Sequence, residues 1–417
     1  MTDAIAAVRA SFPSLAVTDG GAPRIYFDNP AGTQVPRQVI DRTVDYYTRI
    51  NANAGGAFVT SRESVAMIDE TRRKLARFFN APDPDEIVIG QAMTALTFHM
   101  TRALESWFQP GDEVIVTRMD HDGNVTPWLR LAERLGLTVK WLPFDVETAR
   151  YDLGVLETLL TPRTKLAAVN YASNITGTIN DVAAIAARVK AVGGLTYVDA
   201  VQFAPHGVID VQALGCDFLV CSAYKFYGPH LGILWGRRAL LERFTPPKLR
   251  AAPEALPHRY MMGAPQFESI AGLGGALDYY EWLGGAVASD ADRSAAGGAM
   301  NAAKLWMQRH EEALAARLIA GLKTFKGAKI HGLTGANEMS GRVSTVSVTF
   351  EGHDPAALAI ALAGRNIFAW AGHNYALDVI DWLGLAGKGG VLRFGPVHYN
   401  TVAEVDETLA ALDRLVR

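Results

Sequence analysis

Phe218-Leu-Val-Cys-Ser222-Ala-Tyr-Lys225-Phe-Tyr-Gly-Pro229 is the stretch on which the reading of this chain turns. A short run of strand type, Phe218 to Ser222, leads into a lysine, and a Gly-Pro pair closes the turn behind it. A lysine delivered by a buried strand against apolar walls loses hydration. Its pKa falls and it becomes a nucleophilic amine. Alone, the same stretch describes equally well a lysine snorkelling out of a strand end. The surroundings separate the two.

Outward from Lys225, β-rich runs alternate with helix-length amphipathic segments from about Asp85 to Gly236. Strands are expected at Glu86–Gly90, Glu113–Thr117, Thr138–Leu142, Leu166–Asn170, Gly194–Val198, Phe218–Ser222 and Gly232–Trp235. Helical stretches such as Ala92–Trp107, Asn124–Leu135 and Val182–Ala191 lie between them. That alternation implies an α/β domain around a mostly parallel seven-stranded sheet flanked by helices. Ligands of such sheets gather at the carboxyl ends of the strands, so the residues just after each strand are the candidates for chemistry.

Beyond a Pro-rich bridge, Pro246–Pro265, the texture changes. Helices at Phe267–Trp282 and Asn301–Phe325, strand-type runs at Arg342–Phe350 and Gly390–Phe394, and helices at Pro355–Gly364 and Val402–Val416 suggest a smaller α+β domain. The division expected is residues 1–25 packing with the small domain, 26–265 as the large domain and 266–417 as the small one.

A chain of 417 residues exceeds what one core usually supports. A net charge of −3 gives no basic excess for nucleic acid or a membrane surface, and no such partner is expected. No apolar run reaches the roughly 20 residues of a membrane span, and Met1 to Ala10 lacks the pattern of a signal peptide. Cys216 and Cys221 fit neither a metal motif nor a disulfide framework, so a reduced, cytoplasmic protein without a metal site is expected.

Four further strand ends carry candidates. Asp199 ends Gly194-Leu-Thr-Tyr-Val-Asp199, where a carboxylate can pair with a protonated pyridine nitrogen; its ordinary alternative is an Asp opening a turn. His121, in Met119-Asp-His-Asp-Gly-Asn124, can lay its ring on a flat cofactor or move protons. Asn174, in Asn170-Tyr-Ala-Ser-Asn174, can donate to a phenolic oxygen. Gly90-Gln-Ala-Met-Thr94 is a strand-to-helix junction whose free N–H groups suit a phosphate. Each is a modest signal, but their order along successive strands of one sheet is not easily accidental.

Here the chain resembles a known family, the class V aminotransferases among the fold type I pyridoxal-phosphate (PLP) enzymes, in the branch of cysteine desulfurases and selenocysteine lyases. The resemblance spans nearly the whole chain. It includes Tyr26-Phe-Asp-Asn-Pro-Ala-Gly-Thr33, Ser222 to Pro229, Phe267-Glu-Ser-Ile-Ala-Gly-Leu273, Gly390-Val-Leu-Arg-Phe394 and Tyr399-Asn-Thr401. By position it implies Lys225 as the Schiff-base lysine, Asp199 as the pyridinium partner and His121 as the stacking ring. Asn174 and Gln202 would stand near the ring hydroxyl. Ser222 and Tyr224 would meet the phosphate with backbone around Ala92 and Met93. Arg393 would grip the substrate carboxylate with its bidentate fork. The resemblance also implies a homodimer with shared active sites.

The departures matter as much. Desulfurases need a cysteine in a Gly-His-His-Cys-Ala type loop, and Gly372-His373-Asn374-Tyr375-Ala376 stands there instead. A phenol cannot form a persulfide, so ordinary cysteine desulfuration is not expected. Ala92 replaces a hydroxyl residue of the phosphate turn. Ala264 replaces a Thr that crosses the dimer interface, and Ala54-Gly-Gly56 replaces a polar patch. The resemblance implies chemistry through a Cα carbanion. The branches left open are transamination, β-elimination including C–S cleavage, epimerisation with Tyr375 or His373 as acid, and a catalytically idle paralogue.

Overall fold

The computed structural model describes residues 2–417. Seven strands form the central sheet: β1 (Ile87–Gly90), β2 (Glu113–Thr117), β3 (Thr138–Leu142), β4 (Thr164–Asn170), β5 (Leu195–Asp199), β6 (Phe218–Ser222) and β7 (Gly232–Gly236). Their spatial order is β1-β7-β6-β5-β4-β2-β3. All pairs are parallel except those made by β7, which runs antiparallel to both β6 and β1. Chain length explains the exception. Residues 223–231 separate β6 from β7, fewer than the dozen or so that a parallel crossover needs. β5, β6 and β7 are buried almost throughout, which is why they read as continuous apolar runs.

The helices between strands carry their own start and stop signals. Val182–Ala191 opens on Asp181, whose carboxylate accepts the N–H of Ala184. Thr126–Leu135 has a proline in its first turn and ends on Gly136 at φ +65°, a left-handed cap that suits glycine. The stretch expected as one helix over Ala92–Trp107 is Met93–Ala103 followed by a separate 3-10 turn, Glu105–Trp107.

The second sheet is antiparallel, ordered β8-β9-β11-β10 from β8 (Ala328–His331), β9 (Val346–Phe350), β10 (Trp370–Gly372) and β11 (Val391–Phe394). Its apolar residues pack with helices Pro355–Ala363 and Val402–Val416. Two segments pack across the expected domain limits. Phe267–Val287, assigned by sequence to the small domain, buries Phe267, Ile270, Leu273 and Leu277 in the large-sheet core. That helix is apolar nearly all round, so its sequence shows no face pointing to one partner. Helix Ala299–Leu322 spans both cores: Met300 and Met307 join the large one, and Leu314, Leu318 and Leu322 join the small one.

The segment expected to pack with the small domain bridges both cores instead, residue 1 lying outside the described residues. Ile25–Tyr26 pairs with Ile367–Phe368, whereas Val8 and Phe12 insert into the large-sheet core. A separate cluster of Met119, Phe144 and Ile175 with Ala376, Val379, Ile380 and Val391 fastens the two domains beside the strand ends. Among the described residues, no helix is long and apolar enough to cross a membrane.

Candidate active site

The carboxyl ends of β4, β5 and β6 and the turns after β1 and β2 face one cavity of about 640 Å³, whose other wall is Trp370 to Tyr375 and Arg393 of the small domain. Lys225 stands in the 3-10 turn Ala223–Lys225 immediately after β6. Its Nζ donates to the carbonyl oxygens of Ala31, at 2.9 Å, and Pro30. Burial pushes the amine down to about 7, and Arg393 pushes the same way against Asp28 and Asp199.

Asp199 ends β5, in register with Asn170 of β4 and Val220 of β6. It is buried, and its Oδ1 accepts the Val201 N–H at 2.8 Å. Burial raises its carboxyl to about 6, despite that hydrogen bond and the nearby amine of Lys225. A cation brought against it would hold it ionised.

His121 follows β2. The Gly123 N–H donates to its Nδ1 at 2.9 Å, so a neutral ring carries its proton on Nε2. Burial, then Lys225 and Arg393, lowers its pKa to about 4, which keeps the imidazole neutral. Asn174 lines the same cavity, but its Nδ2 donates to the Asn374 carbonyl at 2.9 Å, and its Oδ1 is buried without a partner. Gln202 also lines it, with Nε2 donating to Thr345 Oγ1 at 2.8 Å.

At the other end of the cavity, helix Met93–Ala103 opens from Ala92 with no side-chain cap, leaving first-turn N–H groups free. Met93 and Thr94 line the cavity together with Ser222 and Tyr224. The side of Ala92 is taken up by packing. A Cβ at Gly232 would stand 2.3 Å from the Ala92 carbonyl carbon and 2.6 Å from the Met93 nitrogen, so only glycine lets β7 approach this turn. Sequence reasoning passes over Thr94, whose hydroxyl two residues beyond the Ala92 replacement was the available signal.

Arg393 lies on β11, beside Ser347 of β9 and Trp370 of β10. Its Nη1 donates to the Asn174 carbonyl at 3.1 Å, and its Nη2 is 3.6 Å from Asp28 Oδ1. Its Nε is buried with no partner. Burial lowers the guanidinium to about 10 against the pull of Asp28, and burial raises the Asp28 carboxyl to about 6. The sequence places Asp28 in a motif without giving it a task.

Tyr375 and His373 reach the cavity from the small domain. Asn374 and Tyr375 both have positive φ, +50° and +57°. For tyrosine this is an outlier that its surroundings must hold in place. The Tyr375 N–H donates to His373 Nδ1 at 3.0 Å, and its carbonyl accepts the Asp122 N–H at 2.7 Å. Its ring lies 5.7 Å from that of His121, at 25° between planes. Cys216 and Cys221 are buried and unpaired in the strand region, away from the cavity wall.

The set suits pyridoxal phosphate: a reactive amine for its aldehyde, a buried acid for its ring nitrogen, a neutral flat imidazole, and free backbone N–H groups for its phosphate. A mostly parallel seven-stranded sheet with one reversed strand, flanked by helices and completed by a small α+β domain, is the fold type I architecture of PLP-dependent enzymes.

The family profile for aminotransferase class-V matches residues 25–408. The chain is 33% identical over 420 residues to the aminotransferase-like protein FGM3 of Gibberella zeae, covering 98% of each. It is 32% identical over 432 residues to a cysteine desulfurase of Pectobacterium carotovorum, covering 100% of this chain and 99% of the other. The apo cysteine desulfurase from Thermococcus onnurineus NA1 superposes with a TM-score of 0.87 at 26% identity, over 99% of this chain and 98% of that one. The chain belongs to the class V aminotransferase family. It is a PLP-dependent, cysteine desulfurase-like enzyme.

Proposed function

We propose that this enzyme acts at Cα of an amino acid as an aminotransferase or a β-eliminating lyase of C–S type, and not as a cysteine desulfurase. The carrying observation is the convergence on one cavity of an amine lowered to about 7, a buried acid and an arginine with an unpartnered Nε. Tyr375, on the same wall, is read by motif position as standing where a desulfurase would carry its thiol. Lys225 would hold the cofactor, with Asp199 at its ring nitrogen, His121 on its ring face, and Asn174 and Gln202 near its hydroxyl. Ser222, Tyr224 and the backbone at Ala92 and Met93 would take the phosphate. When bound, the cofactor supplies a sink for negative charge developing at Cα.

The chain's own residues do the rest. Arg393 fixes the substrate carboxylate, already aimed by the Asn174 carbonyl and Asp28. Lys225 Nζ, largely free base near pH 7.5, can take the Cα proton and, once protonated, can hand it on, to a departing β-substituent in the eliminating branch. Asp199 holds the ring nitrogen's proton. A second reading, epimerisation, rests on Tyr375 and His373 entering from the small domain while Lys225 enters from the large one. That places proton donors on two separate elements.

The protein is taken to be cytoplasmic, in keeping with two buried free thiols, and to work as a homodimer. Leu249 and Met262, 69% and 72% exposed on the Pro246–Pro265 segment, support that segment as the face a second subunit would cover. Incubation with an amino-acid panel, scoring ammonia, keto acid, sulfide and optical rotation together, separates the branches. Sulfide from cysteine at desulfurase-like turnover overturns the proposal. An idle paralogue would show no change in visible absorption with any amino acid.

A further inference from the structure

We infer that the cavity selects amino acids with a flat aromatic side chain and a single carboxylate; this rests on the amino-acid reading above and goes beyond it in naming the side chain. Trp370 is 55% exposed and Tyr375 69% exposed, and both line the cavity. Large aromatic rings left facing solvent in a ligand cavity are surface that a ligand can cover, and aromatic partners add edge or stacking contacts to simple burial.

Tyr375 is not a loose side chain on a drifting loop. Its backbone N–H and C=O are both committed, to His373 and Asp122. Its φ of +57° keeps it in a narrow left-handed well, and the His373 ring meets it edge-on with centroids 5.9 Å apart. Trp370 sits on β10 directly beside Arg393 of β11, the only arginine on the cavity wall. A carboxylate held at Arg393 therefore places the substrate side chain next to an aromatic wall.

Charge points the same way. Apart from Lys225 and Arg393, no lysine or arginine lines the cavity. Asp28 already stands 3.6 Å from Arg393 and offsets part of its charge. Among the described residues, this subunit's own wall therefore offers a second, distal carboxylate no cation beyond Lys225 and Arg393, and burying an unpaired carboxylate is costly.

Dissociation constants for phenylalanine, tyrosine, tryptophan, alanine, glutamate and lysine on the cofactor-loaded protein test the inference, read by quenching of tryptophan fluorescence and by calorimetry. The aromatic amino acids should bind at least ten-fold tighter than alanine or glutamate. In Trp370→Ala/Tyr375→Ala the ratio of aromatic to alanine affinity should shrink to within about two-fold. Both side chains are largely exposed, so folding should survive, and circular dichroism melting verifies it. A Tyr375→Phe variant should keep the preference. Tightest binding of glutamate or lysine, or an unchanged ratio in the double variant, overturns the inference while leaving the amino-acid reading intact. Absence of binding by every amino acid, with no visible absorption band on cofactor addition, sinks both.

Discussion

The lowered basicity of Lys225 can be measured directly on the apo protein. An ordinary lysine amine near 10.5 is only about 0.1% free base at pH 7.5, whereas an amine at about 7 is about three-quarters free base, a gain of roughly 700-fold in reactive form. Burial supplies most of this and Arg393 adds to it, while Asp28 and Asp199 oppose it. Competitive acetylation across pH 6 to 11, followed by mass spectrometry of the peptide carrying Lys225, should give a midpoint close to 7. Arg393→Gln should move the midpoint up and Asp28→Asn should move it down, each by less than the total shift because burial leads. The folded amine binds its proton less readily than the unfolded one, so the unfolded chain carries an extra proton between about 7 and 10.5. This group's contribution to stability therefore rises with pH through that window and is lost as pH falls through 7. A wild-type midpoint above 9, or a fall in midpoint on Arg393→Gln, refutes the account.

Gly232→Ala should force the phosphate turn away from β7, because the new Cβ meets backbone atoms of Ala92 and Met93 at 2.3–2.6 Å. A loss of about 1–3 kcal/mol in stability is expected, with at least ten-fold weaker cofactor binding, from thermal melts and cofactor titration. Arg118 lies 3.9 Å over the Trp141 ring and pairs with Asp378 at 2.5 Å, which ties helix Leu377–Trp382 to the end of β2. Arg118→Ala should cost only about 1–2 kcal/mol overall yet speed proteolysis between residues 372 and 382 and raise KM more than it lowers kcat. Arg118→Lys should restore the ion pair but not the stacked guanidinium, and should recover KM only in part.

The strands of the large sheet are legible because each is short and bounded by turn residues, and the candidates named just past their ends, Lys225, Asp199, His121 and Asn174, line one cavity. The reversed direction of β7 follows from the short 223–231 link. Less legible were contacts made between distant segments. Nothing near Asp28 says that it will stand beside Arg393, which lies on another sheet. No strand is expected at Trp370 from the sequence, and its place beside Arg393 emerges only once β10 pairs with β11. Phe267–Val287 is hard to place for the opposite reason: a helix apolar nearly all round can be claimed by any neighbour.

The short return from β6 to β7 also bears on how such an enzyme can be redesigned. Its two ends are locked in one ladder, with Ser222 paired to Gly232, so adding or deleting a residue there would rotate Lys225 away from its cavity. The stretch from Trp370 to Tyr375 is tethered differently, by the β10 ladder with β11 at its start and by the Tyr375 carbonyl on the Asp122 N–H at its end. Loops from relatives swapped into that stretch would have to keep both anchors to leave the fold intact. The lysine turn tolerates almost no experiment in length.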